Sequence, residues 1–121
     1  MKQPKYKYRP SPDAKVAIEY ARTNSGSYPA EEFLAGLESQ KRAQMETLLE
    51  RMHYVGKITN TQQFRSLKGS EFFEFKRWGA RIMGYYTGRR RNCVVLTHGF
   101  TKKNDKFDEG ELKRARRIKQ E

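Results

Sequence analysis

The sequence predicts an α+β domain: an N-terminal strand, a helical hairpin packed on an antiparallel β-meander, and a basic C-terminal helix. Three observations carry this reading. Met45, Leu48, Leu49 and Met52 fall at i, i+3, i+4 and i+7 and draw one apolar helical stripe over residues 39–54. Within residues 72–103, three apolar stretches follow one another, two of them alternating with period two, and "RWGA" and "TGRRRN" stand between them as turns. A chain of 121 residues holds one core, and a stripe this wide is best covered by a sheet.

Each element has its own signal. The first dozen residues carry Lys2, Lys5, Lys7 and Arg9, three prolines ahead of Asp13, and no acid before it, so residues 1–12 are expected to be a basic mobile arm before a single domain over 13–121. "KVAIEYAR" alternates as a strand with Val16, Ile18 and Tyr20 on one face, and "TNSGSYP" follows as a loop. Pro29 then opens a short helix with acids early and Phe33, Leu34 and Leu37 at helical spacing. The longer helix ends at Gly56. In "FFEFK", Phe73 and Phe75 point one way and Glu74 and Lys76 the other. After the turn, Arg81, Met83 and Tyr85 alternate with Ile82, Gly84 and Tyr86. "CVVLTHGF" is apolar enough for a central strand. Asp108 and Glu111 give the D-x-x-E spacing of a helix start, and Leu112, Ala115 and Ile118 make a thin stripe among Lys113, Arg114, Arg116, Arg117 and Lys119. That last helix is expected to be mostly solvated. With both hairpin helices on one sheet face, the other is expected to be open and to collect Glu74, Lys76, Arg81 and Tyr85.

The charge balance names a class of partner. Twenty-six Lys and Arg against fourteen Asp and Glu leave +12 and a pI near 10.0, so a polyanion is expected, nucleic acid first. No apolar run approaches the roughly 20 residues of a membrane span, and the start lacks a secretion signal, so the reading is a soluble, cytoplasmic protein without a membrane partner. The single cysteine, Cys93, excludes an internal disulfide and a cysteine-based zinc site, and no metal or other cofactor is expected.

The residues from "LKGSEFFEFKRWGARIMGYYTG" to "VVLTHGFTKKNDK" resemble the phage-derived, HigB-like branch of the RelE/ParE superfamily of bacterial toxins. The likeness runs from about Tyr28 to Arg117, and "HGF-x-KK" after an apolar strand is its most specific part. The resemblance implies a RelE-like fold and a metal-independent endoribonuclease that cuts messenger RNA on the ribosome, beside 16S ribosomal RNA. It also implies silencing by a cognate antitoxin of helix-turn-helix type. Carried over by motif position, Arg81 contacts the scissile phosphate, and Lys76, Lys102 or Lys103 adds charge or moves a proton, with His98 as a further candidate. Tyr85 would stack on a base, and Arg89, Arg90, Arg91, Arg114 and Arg117 would grip RNA.

Plainer readings stand beside these. Arg81 and Lys76 are also what a cross-strand ion pair with Glu74 would use. His98 at a strand end is more often a structural imidazole than a proton carrier, Tyr86 reads as core, Trp78 as a lone surface aromatic, and the "RRR" turn serves as readily for solvation as for phosphate. Two rival functions follow from the same charges: a gyrase-targeting toxin of the same superfamily, and a non-enzymatic RNA- or DNA-binding module.

Overall fold

A computed structural model of the chain describes residues 4–102 and 108–121. Strands β1 (Lys5–Tyr8) and β2 (Ala17–Tyr20) lead into helices α1 (Pro29–Gly36) and α2 (Ser39–Val55). Strands β3 (Phe64–Ser66), β4 (Phe72–Arg77), β5 (Ala80–Thr87) and β6 (Cys93–Thr101) follow, and helix α3 (Glu109–Gln120) closes the chain. The fold class is the α+β expected: β4, β5 and β6 form the antiparallel meander, widened into a six-stranded mixed sheet in the order β1-β2-β6-β5-β4-β3. The first sequence-read strand, β2, lies parallel to β6, because the hairpin of helices carries the chain across the sheet before the meander begins.

The main core forms where α1 and α2 meet the sheet. Leu34, Met45, Leu48, Leu49 and Met52 pack on Ile18, Phe73, Phe75, Ile82, Val94 and Leu96. Alternation had set Phe73, Phe75 and Ile82 on this helix-packed face, and Tyr86, read as core, packs half-buried against it. Gly56 ends α2 in the left-handed conformation at φ 77°, the geometry that favours glycine there. At Gly99 the constraint is space: a Cβ would lie 2.2 Å from the Phe33 ring of α1, so this helix can approach β6 only over a glycine.

Two expectations are corrected. Residues 5–8 of the supposed arm are an edge strand, antiparallel to β2. Tyr8 stacks on the buried His53 ring at 4.9 Å, Lys5 pairs with Glu31 at 2.7 Å, and Lys7 pairs with Glu46 of α2. The segment therefore satisfies its backbone on a sheet edge and its charges on the two helices, and Tyr8 packs its ring against the main core.

The second correction concerns α3, which lies on the opposite sheet face. Leu112 and Ala115 bury against Leu67, Phe72, Met83 and Phe100, and Ile118 against Ala21 and Val95. Three residues suffice because the sheet offers its own apolar strip beneath them. The face expected to be open is thus covered over its apolar part, and its charged part lies toward the β4–β5 turn.

Candidate functional site

A two-residue turn, Trp78–Gly79, joins β4 to β5 and sets Lys76 directly across from Arg81. Alternation puts both, with Glu74, on the face away from the aromatic core. All three are withdrawn from water: Glu74 is 2% exposed, Lys76 5% and Arg81 4%. Buried charges persist only where they are paired and hydrogen-bonded. Glu74 Oε1 accepts from Arg65 Nη2 at 2.7 Å and stands 3.9 Å from Arg81 Nε. Arg81 Nη1 donates to the carbonyl oxygens of Trp78 at 2.6 Å and Ala80 at 3.1 Å. The expected solvated cation surface is therefore a buried, partnered network, and among the described residues the closest partner of Glu74 is Arg65 of β3.

Lys76 and Arg81 line one cleft of about 380 Å³, whose remaining walls are Gln62, Arg77 and Trp78. Three of these five side chains are cations, and Trp78 is 66% exposed. The end of β6 abuts the same turn, where Lys102 N donates to Gly79 O at 2.7 Å. Lys102 is half-buried, and Lys103 lies outside the described residues. Lys76, Arg77 and Arg81 make this cleft concave and positive, suited to an anion, and the Lys102 backbone stands at its edge.

His98 stands apart from this cleft. A β-bulge between Met83 and Gly84 leaves Thr97 as the extra residue and turns His98 under α3. The ring is fully buried, with Nε2 3.1 Å from Glu111 Oε1 and Nδ1 3.1 Å from Thr97 Oγ1. Burial, reinforced by Arg114 and Arg117, pushes its pKa down to about 4. His98 is neutral near pH 7, engaged at both nitrogens and outside the cleft wall. Glu111 has the sequence position of a capping-box acid, and its backbone N–H is capped by Asp108 Oδ1 at 3.2 Å, yet its carboxyl turns to His98.

The family model described as "Phage derived protein Gp49-like (DUF891)" matches residues 32–120. The chain belongs to this Gp49-like family. No curated protein matches it. The match runs from within α1 to the end of α3 and so contains every residue of the cleft, while β1 and β2 precede it.

The other candidate residues of this Gp49-like protein do not join the cleft. Tyr85 is packed beneath α3, edge-on to Phe72 at 5.7 Å, with Lys119 Nζ 4.7 Å from its ring centroid. Burial raises its phenol pKa, and the ring is occupied by protein where the sequence reading had it stacking on a base. Arg89, Arg90 and Arg91 are exposed in the β5–β6 turn, and Arg91 lies over the Tyr86 ring at 5.5 Å. That turn is at the opposite end of β5, roughly 25 Å from the cleft at about 3.3 Å per residue. Arg114 lies 3.9 Å from Glu111, and Arg117 is exposed on α3. Among the described residues no three His, Cys, Asp or Glu side chains group as a metal would need. No described helix is long and apolar enough to cross a membrane.

Sequence reasoning missed Arg65, Arg77 and Gln62. Arg65 belongs to a three-residue strand, too short for alternation to register, and Arg77 follows the last alternating residue of its strand. The signal that was present is the pairing of Lys76 with Arg81 around "RWGA", where one turn implies that the residues flanking it share an end of the hairpin.

Proposed function

We propose that this Gp49-like protein is the toxin of a toxin–antitoxin pair and cuts messenger RNA on the ribosome. The observation that supports the reading is the cleft itself: Lys76, Arg77 and Arg81 converge with an exposed Trp on the end of a sheet, within a +12 chain. Attack of a ribose 2′-oxygen on the adjacent phosphorus forms the cyclic phosphate and breaks the bond to the 5′-oxygen. One group must take the 2′-hydroxyl proton, one must give a proton to the leaving oxygen, and fixed positive charge must meet the transition state. Arg81 supplies charge, since its guanidinium stays protonated and is oriented by the Trp78 and Ala80 carbonyls. Among the described residues, Lys76 and Lys102 are the groups at the cleft and its edge able to move protons, because His98 is buried elsewhere. The lysines and arginines supply the charge that a metal provides in other nucleases. A cognate antitoxin of helix-turn-helix type, presenting acids, would silence the protein by covering this cleft.

A binding module without chemistry is the second reading, favoured by one observation: Arg81 Nη1 is already engaged by two carbonyls. Induced expression in a bacterium, with messenger RNA 5′ ends mapped across the transcriptome, separates the readings. Codon-phased cuts confined to translated regions, lost in Lys102→Ala, are expected. Supercoiling defects without cuts would point to gyrase, and RNA association with neither would leave the binding module.

A further inference from the structure

The Trp78–Gly79 turn carries an unusual residue. A two-residue hairpin turn that needs a positive φ is normally given to Gly, Asn or Asp, yet here Trp78 holds φ 54°. A bulky residue in that conformation is strained, and strain of this kind persists where the surroundings over-determine it. Here they do: Trp78 Nε1 donates to Gln44 Oε1 of α2, and the Arg77 guanidinium lies over the indole at 5.6 Å. The result is a large aromatic ring, 66% exposed, held in one orientation against the cost of exposure and of backbone strain.

Its surroundings say what it could hold. On one side is the cleft of Lys76 and Arg81. On the other, between α2 and the start of β3, a groove of about 340 Å³ is lined by Gln44, Arg51, Asn60, Gln63 and Arg77. Arg77 belongs to both walls, so cleft and groove meet at Arg77, whose guanidinium lies over the indole. The groove offers two guanidinium groups, three amides and the Thr47 hydroxyl beside Leu48, which suits a sugar–phosphate backbone more than an apolar ligand.

We infer that Trp78 is a stacking platform for one base of a single-stranded RNA, and that the strand continues from the cleft into the α2–β3 groove with its phosphates on Arg77 and Arg51. A rigid aromatic flanked by cations is the arrangement by which proteins hold single strands, the ring taking any base and the cations tracking the backbone. Fixing the ring before binding also lowers the ordering cost of the complex. The inference rests on the proposal that RNA is the partner, and adds which nucleotide contact positions it.

Trp78 is the only tryptophan in the chain, so its own fluorescence reports the site. Short RNA oligomers titrated onto the full-length protein are expected to quench that fluorescence saturably. An abasic oligomer of equal length should bind more weakly and quench little. With labelled RNA, Trp78→Ala should weaken binding at least about five-fold, the lower range for one stacked base, while Trp78→Phe retains most of the affinity. Arg51→Gln should flatten the salt dependence by about one phosphate contact, leaving the quenching intact. Circular dichroism of each variant checks that the fold is kept. RNA that binds without moving the fluorescence, and equally well to Trp78→Ala, overturns the platform while leaving RNA as the partner. Equal quenching by the abasic oligomer, or a response of Trp78 only to a protein partner, overturns it too. No RNA binding at all removes both this inference and the function on which it rests.

Discussion

Arg81 does two jobs whose consequences differ. Its Nη1 satisfies the Trp78 and Ala80 carbonyls, and its Nε stands 3.9 Å from the buried Glu74 carboxylate, so truncation strands buried polar groups as well as removing charge from the cleft. Arg81→Ala is expected to lower stability by about 2–4 kcal/mol, read as a reduced urea midpoint, and loss of activity in that variant says little about chemistry. Lys102 is the cleaner probe. It is half-buried, and Lys102→Ala should reduce cleavage by roughly 10²-fold, in the range of general acid–base help, with the urea midpoint nearly unchanged. His98 makes a third residue-scale prediction. Its folded pKa, about 4, lies below the ordinary 6.5, so between those values the unfolded chain binds a proton that the folded chain refuses. Stability must then rise with pH across that window and fall as the solution is acidified through it, by up to about 3 kcal/mol. Glu111, whose carboxyl is pushed up by burial, opposes part of the slope at its acid end. Urea midpoints at pH 5 and pH 7 should converge in His98→Gln, and an unaltered difference between them would show that other groups set the acid limit.

At the scale of elements, β1 is the least expected part of the fold and the easiest to test. Removing residues 1–9 takes away the β1–β2 ladder, the Tyr8–His53 stack and the Glu31 and Glu46 pairs, and bares the β2 edge. Loss of about 2 kcal/mol or more is expected, most of it from the stack and the ladder because exposed ion pairs contribute little. A deletion that melts at the full-length temperature would mean that the strand is decorative. The elements that were legible in the sequence share one property, a periodic apolar pattern long enough to repeat. The stripe of Met45 to Met52 fixed α2, and Phe73 and Phe75 fixed which face of β4 meets it. β1 and β3 have four and three residues, mostly polar, and are defined by a neighbour's edge that no local pattern encodes. The bulge at Thr97 is equally silent, since one extra residue changes facing without changing composition. The site was legible in part for the same reason. A turn at "WG" implies that Lys76 meets Arg81, but their burial depends on Arg65 and Glu74 closing on each other across strands, and α3's choice of face depends on Phe72, Met83 and Val95 lying bare together.

Across the whole molecule, the +12 charge is divided rather than uniform. Lys76, Arg77, Arg81 and Lys102 gather at one end of the β4–β5 hairpin, and Arg89, Arg90 and Arg91 at the other. Both groups attract a polyanion from a distance, but only contacts that neutralise phosphates release condensed counterions and set the salt slope. For a single strand each phosphate contributes about 0.7 to the slope of log affinity against log salt, so the three cleft cations together with Arg51 of the adjoining groove predict a slope near −3. Replacing Arg89, Arg90 and Arg91 together by Gln should slow association at low salt, because steering weakens, and leave that slope within about half a unit. The same measurement on Arg77→Gln should flatten it by about 0.7. Titration of a short RNA at several salt concentrations distinguishes the two ends of the sheet. A slope that collapses in the triple variant and persists in Arg77→Gln would move the contact surface to the β5–β6 turn and leave the cleft without its ligand.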